Sequence, residues 1–230
     1  MDGVITQTAK IHAKAWKELF DEFLKEHEGS SFTPFDSNKD YKQYIDGKPR
    51  LDGIRSFLQS RSISLKEGKP GEKYPKTTLH DLGERKNSLF LSLLKNEGVE
   101  VYPDTQKLIR RWKGQKKLAV ISASKNCEFI LASVGMLEMF DVRVDGVISE
   151  RSKLKGKPEP DIFLEASRKL ELDPAECIVI EDAMAGVQAG RKGGFGLVVG
   201  VARDGEEEDL LKNGADFVLT SLDLIENKLT

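Results

Sequence analysis

The sequence predicts an α/β protein: a doubly wound parallel sheet into which an α-helical domain is inserted. Three observations predict it. From about residue 102 onward, short β-branched runs alternate with amphipathic helical stretches, the pattern of repeated β-α units. Residues 32–100, in contrast, show helical periodicity and no convincing strand. Finally, the run Cys177-Ile178-Val179-Ile180 passes straight into Glu181-Asp182 and then into Ala183-Met184-Ala185-Gly186. Such a run reads as a buried parallel strand. Its C-terminal end presents acids to the crevice where open α/β sheets bind their ligands.

Composition narrows the function classes. A chain of 230 residues with 39% apolar content can build a substantial core without disulfides. The net charge of -2 and pI of about 6.0 argue against nucleic acid and anionic membranes as partners. Lys and Arg are interleaved with Asp and Glu, as on solvated helix faces. The two cysteines, Cys127 and Cys177, lie in apolar stretches and read as reduced core residues of a cytosolic protein. With no signal-like or membrane-length apolar run, a cytoplasmic location is expected.

The elements follow in order. Met1 to Thr8 resembles the end of a strand-to-loop junction. A long amphipathic helix spans about residues 8–26, with Ile11, Trp16, Leu19, Phe20, Phe23 and Leu24 on one stripe, and Gly29-Ser30-Ser31 ends it. Leu51, Ile54, Phe57 and Leu58 mark a second helix; Leu89, Phe90, Leu93 and Leu94 mark a third. Residues 68–75 form a Gly/Pro/Lys loop between them. Strands are expected at 117–121, within 142–148, and at 178–181, 195–201 and 217–219. Helices are expected at 104–113, 126–134, 161–170, 183–192 and 206–213. The expected division is therefore an α/β core of residues 1–8 and 100–230, with a helical cap of residues 9–99.

Four clusters fall where a core strand ends or a loop begins: Asp2-Gly3; Ser122 after Leu118-Ala119-Val120-Ile121; Lys157 in Gly156-Lys157-Pro158-Glu159-Pro160; and Glu181-Asp182. They supply a carboxylate, a hydroxyl, an ammonium and an acid pair. Paired carboxylates suit a hard cation such as Mg²⁺, which takes oxygen ligands. A hydroxyl and an ammonium suit the oxygens of a phosphoryl group as charge spreads over them. Each also has a plainer reading. Asp182 or Ser122 would cap the helix that follows, Lys157 would be a solvated loop lysine, and Asp2 a disordered terminal residue.

Taken together, the four clusters resemble the haloacid dehalogenase superfamily of phosphotransferases. The resemblance is strongest to the subgroup with an α-helical cap that includes β-phosphoglucomutase. The motifs that carry it are Asp2-Gly3-Val4-Ile5-Thr6, Ser122-Ala123-Ser124-Lys125-Asn126, Gly156-Lys157-Pro158-Glu159-Pro160-Asp161 and Glu181-Asp182-Ala183-Met184-Ala185-Gly186, and it covers nearly the whole chain. It implies a Rossmann-like core and Mg²⁺ as cofactor. Asp2 would be the general acid/base, with its backbone carbonyl on the metal. Ser122 and Lys157 would bind the transferring phosphoryl group. Asp182, with Glu181 beside it, would ligate Mg²⁺. Thr8, His12, Trp16, Gly47, Arg50 and Lys86 match cap and hinge positions, and Ser124, Lys125 and Asn126 match residues that grip the second phosphate or the sugar. Arg50 with Lys125 would supply cations for that second phosphate. His12, Arg50 and Lys86 would otherwise be ordinary helix-surface side chains.

This sequence departs from the family pattern in three places. Gln7 stands where members usually carry Asp, and Asp46-Gly47-Lys48-Pro49-Arg50 is an uncommon form of the cap loop. The family motif reads Asp-x-Asp-Gly, whose first Asp forms the aspartyl-phosphate; here Met1 occupies the x position. A trimmed chain or a misassigned start is therefore expected. Without the preceding strand, two strands would expose unpaired backbone groups costing about 1–3 kcal/mol each.

The expected activity is Mg²⁺-dependent phosphoryl transfer on a small phosphorylated sugar by a monomer, converting β-glucose 1-phosphate to glucose 6-phosphate through a bisphosphate. Alternatives are a sugar-phosphate phosphatase on the same scaffold and a non-catalytic phosphometabolite binder. A signalling receiver domain combines similar groups but, at about 120 residues without a cap, has the wrong size.

Overall fold

The structure is a computed structural model, and it describes residues 1–71, 77–203, 205 and 207–229. By its internal contacts the chain forms two compact units. One comprises Met1–Gln7, Gly47–Pro49 and Val99–Thr230; the other comprises Thr8–Asp46 and Arg50–Gly98. It is a mixed α/β protein with parallel sheets.

The second unit is helical. Helix α1 (Thr8–Glu28) buries Ile11, Ala15, Trp16, Leu19, Phe20, Phe23 and Leu24 on one side, the stripe that its 3.6-residue periodicity marks. Helix α2 (Arg50–Ser60) contributes Ile54, Phe57 and Leu58, and helix α3 (Leu79–Glu97) contributes Leu79, Leu82 and Phe90. Aromatic rings form the centre: Phe20 lies 4.2 Å from Phe57 and 5.2 Å from Phe35 between ring centroids. Offset or tilted contacts of this kind are favourable beyond the area they bury. The start of α3 is fixed by a capping box, in which Asp81 N–H donates to the Thr78 hydroxyl (3.2 Å) and Thr78 N–H to the Asp81 carboxylate (2.9 Å). A single π-helical turn, Tyr41–Ile45, was not anticipated. Of the expected loop 68–75, residues 72–75 lie outside the described residues.

In the first unit, α4 (Pro103–Trp112) leads into β1 (Ala119–Ile121), α5 (Cys127–Ser133) and β2 (Val142–Val144). Then come α6 (Gly146–Arg151), α7 (Asp161–Leu170), β3 (Ile178–Glu181), α8 (Met184–Lys192) and β4 (Leu197–Val201). The chain closes with α9 (Glu207–Lys212), β5 (Phe217–Leu219) and α10 (Glu226–Leu229). Strand β1 pairs in parallel with β2, and β3, β4 and β5 form a parallel three-stranded sheet. Among the described residues, no ladder joins β1 to β3. One apolar cluster nevertheless serves both parts, with Val144 from β2, Ile162 and Phe163 from α7, Val179 from β3 and Val198 from β4.

Several element bounds differ from expectation. The strand expected at 117–121 begins only at Ala119, because Leu118 N–H is taken by the Asp141 side chain (2.7 Å). The segment 142–148 is a strand for three residues and then turns into α6, because Asp145 accepts from the N–H groups of Val147 and Ile148 at 3.0 Å each. The strand expected at 195–201 begins at Leu197, and of the helix expected at 206–213, residue 206 lies outside the described residues. No helix among the described residues is long and apolar enough to cross a membrane.

The two cysteines differ in environment. Cys127 is fully enclosed, and burial pushes its thiol up to about 12. Cys177 is half-buried, with its thiol donating to the Asp173 carbonyl (3.4 Å); burial, then Glu176 and Asp173, raise it as well. The thiolate is the reactive form. Iodoacetamide at pH 8 is therefore expected to modify Cys177 first and Cys127 only in urea. Peptide mapping that finds both alkylated at equal rates in the folded protein would contradict this burial.

Candidate active site

Three of the four motif clusters meet through contacts within the α/β unit, and the fourth binds one of them. The loop of residues 1–6 is closed by backbone bonds from Gly3 to Thr6 (2.8 Å) and from Ile5 to Met1 (2.7 Å). Its ammonium end donates to the carbonyl of Ile121, the last residue of β1 (3.3 Å). Ser122 follows that strand directly and is 3% exposed. Its hydroxyl donates to an Asp2 carboxylate oxygen at 3.5 Å and accepts the N–H of Ser124 at 3.1 Å. Asp2 is thus half-buried and bonded, and Ser122 turns its own loop.

Gly3 explains how Asp182 enters. Its φ of +72° lies in the left-handed region that favours glycine. The space its absent Cβ would take is filled by the Asp182 carboxylate. The end of β3 is thereby packed against the backbone at Asp2-Gly3. The N-cap position of α8 is Ala183, which has no capping side chain.

Lys157 and Glu181 form a buried ion pair. They are 8% and 4% exposed, so the pair is shielded from water. The Lys157 ammonium also lies 5.0 Å from the Phe163 ring centroid. Gly186, in the first turns of α8, leaves no room for a Cβ beside the Glu181 side chain. Gly47 packs against this same edge, its Cβ position 3.3 Å from Ala183 Cβ and 4.0 Å from Lys157 Cδ.

The remaining residues of the Ser122 loop are held differently. Ser124 Oγ accepts from Asn126 N–H at 3.1 Å, so Ser124 and Asn126 shape the turn into α5. Lys125, expected to face a phosphate, instead pairs with Glu150 (2.7 Å) on an exposed face. Gly146 was not foreseen. Its N–H donates to Ser124 O (3.2 Å), and a Cβ there would stand 2.6 Å from Ala123 O and 2.9 Å from Lys125 N. The sequence pattern of residues 142–148 carries no signal of what lies opposite Gly146.

In the helical unit, Thr8 is buried at the first position of α1. His12, Trp16 and Lys86 form one cluster. The Lys86 ammonium donates to His12 Nδ1 at 2.5 Å and lies 4.9 Å from the Trp16 ring and 4.6 Å from the Phe90 ring. His12 stacks on Phe90 at 4.0 Å. Lys86 is 3% exposed, so the rings and the imidazole replace its water. Arg50 donates to Gly83 O (3.0 Å) and Asn87 Oδ1 (2.8 Å); burial lowers its pKa, against the pull of Glu84. None of these five is an ordinary surface side chain.

Among the described residues, no three His, Cys, Asp or Glu side chains are grouped to hold a metal. A Mg²⁺ ion needs fewer, since it keeps several waters and binds through one or two carboxylates plus substrate phosphate. The placement of Asp182 against Asp2-Gly3 offers such hard oxygen donors, and Glu181 is neutralised by Lys157. The donor set therefore fits Mg²⁺ through Asp2 and Asp182.

Against known proteins, residues 1–194 match the family of haloacid dehalogenase-like hydrolases. The chain belongs to that family. It is 41% identical over 229 residues to a β-phosphoglucomutase of Mycobacterium bovis, covering 96% of this chain and 87% of that protein. It is 26% identical over 200 residues to a fructose-1-phosphate phosphatase of Escherichia coli, covering 86% of this chain and 92% of that one. Among solved structures, a β-phosphoglucomutase from Clostridium difficile superposes with a TM-score of 0.76 at 27% identity, covering 99% of this chain and 91% of that one. Family membership and fold thus agree with what the four motifs imply.

Proposed function

We propose that this protein transfers a phosphoryl group on a small sugar phosphate with Mg²⁺, converting β-glucose 1-phosphate to glucose 6-phosphate through a bisphosphate. The observation that carries this reading is the 41% identity to a β-phosphoglucomutase across 96% of the chain. The convergence of Asp2 with Ser122 beyond the end of β1 and with Asp182 beyond the end of β3 supports it. Asp2 gives its proton to the leaving oxygen and takes one from the accepting hydroxyl. The Ser122 hydroxyl orients the Asp2 carboxylate and then hydrogen-bonds the phosphoryl oxygens. Lys157 places its positive charge on the same oxygens, and Glu181 aims it. Mg²⁺, held by Asp2 and Asp182, supplies further charge neutralisation. In such a transfer the family's nucleophile is an Asp carboxylate two places before the acid/base. Thr8, His12, Trp16, Gly47, Arg50, Lys86, Ser124, Lys125 and Asn126 are assigned to recognition of the sugar and its second phosphate.

A sugar-phosphate phosphatase is the second reading, and two observations favour it. One relative is a fructose-1-phosphate phosphatase. In addition, the cations assigned to a second phosphate already have internal partners, Arg50 on Gly83 and Asn87 and Lys125 on Glu150.

One assay separates the readings. Glucose 6-phosphate and inorganic phosphate are followed from β-glucose 1-phosphate with Mg²⁺, for the chain as it stands and for a form preceded by an apolar strand ending in Asp. Glucose 6-phosphate without stoichiometric phosphate is the expected result. Free phosphate as the main product would establish the phosphatase instead. Binding of sugar phosphates by both forms with no turnover would overturn both.

A further inference from the structure

The loop that carries Asp2 is anchored by a side chain 101 residues away from Val4. Thr105, in the first turn of α4 and 2% exposed, donates its hydroxyl proton to the Val4 carbonyl at 2.7 Å. The same oxygen accepts from Arg203 Nη2 at 3.1 Å. A hydroxyl has one proton and two acceptor lone pairs, while a guanidinium only donates. Arg203 therefore forces the Thr105 proton to point at Val4.

Arg203 is itself tightly placed, just beyond the end of β4. Its fork meets the Asp104 carboxylate at 2.7 and 3.2 Å, it donates to Thr220 O (3.3 Å), and its guanidinium lies 4.2 Å from the Tyr102 ring centroid. Asp104 also accepts from Ser221 Oγ (3.0 Å) and Leu222 N–H (2.7 Å). Burial works against the Asp104 charge, yet Arg203 and these donors hold its carboxyl below the usual range. Arg203 Nε is buried with no partner among the described residues.

We propose that Thr105, oriented by Arg203, is a positioning residue: by pinning the Val4 carbonyl it holds the Asp2 carboxylate at Ser122. The chain of contacts runs from Arg203 to Thr105 to Val4, one residue from Gly3, whose left-handed turn sets the direction of Asp2. The function of this pin in turnover rests on the phosphoryl-transfer reading; its existence does not.

Amide hydrogen exchange on the full chain without ligand tests the pin. In Thr105→Val the amides of Gly3, Ile5 and Thr6 are expected to exchange about tenfold faster, the loss of one hydrogen bond's protection. Thr105→Ser, which keeps the hydroxyl, is expected to restore the original rates, and β4 and β5 to be unchanged in both. Arg203→Met frees the hydroxyl to rotate and must quicken the same three amides; it serves if Thr105→Val does not fold. Unchanged exchange at residues 3–6, or equal quickening in β4 and β5, would overturn the proposal. In the phosphoryl-transfer assay Thr105→Val should lower kcat with KM unchanged, and Thr105→Ser should recover it. Absence of turnover in the form preceded by an apolar strand ending in Asp would count against the phosphoryl-transfer reading alone, because exchange still decides the pin.

Discussion

Lys157→Met is expected to cost about 3–5 kcal/mol of folding stability, the penalty for leaving one member of a buried ion pair without its partner. Lys157 and Glu181 are both nearly inaccessible to water, so little solvent screening reduces the effect. The Glu181 carboxylate has no easy escape either, because α8 closes against it at Gly186. Urea titration of the purified variant measures the loss as a shifted midpoint. The double variant Lys157→Met/Glu181→Met removes both charges and keeps the volume, so it should recover most of the stability. A single-variant loss below about 1 kcal/mol, the range of exposed pairs, would mean that water reaches the pair.

Asp2→Asn tests chemistry rather than folding. The amide keeps the shape and still accepts from Ser122, so the thermal midpoint should hold. It has no carboxyl proton to exchange, and kcat should fall by about 10²–10⁴-fold, the usual contribution of a positioned acid/base. KM should change little, since the lost interaction belongs to the transition state. A loss under tenfold would remove Asp2 from the acid/base role.

The elements most legible in the sequence were those that local chemistry defines. The run Ile178–Glu181 ends in an acid pair and Phe217–Leu219 lies between Asp216 and Thr220, and their observed bounds equal the expected ones. The stripe on α1 was equally readable, because one face must meet the aromatic core. Less legible were boundaries set by side chains reaching in from elsewhere. Asp141 claims the N–H of Leu118, and Asp145 starts a helix where a strand appeared to continue. Motif spacing brought Asp2, Ser122, Lys157, Glu181 and Asp182 to notice. It did not reveal that Lys157 and Glu181 are paired with each other, or that Lys125 has Glu150 for a partner. The Thr105–Arg203 contact spans 98 positions and leaves no periodic trace at all.

The three glycines around this edge carry a consequence for anyone altering the protein. Replacing glycine with alanine is a routine way to stiffen a chain and raise its melting temperature. At Gly3, Gly186 and Gly146 the added methyl would land on the Asp182 carboxylate, the Glu181 side chain and the backbone of Ala123 and Lys125 respectively. Thermostabilisation libraries should exempt all three. The empty volume beside each α-carbon is a functional part of the protein, as specific to its neighbour as any side chain.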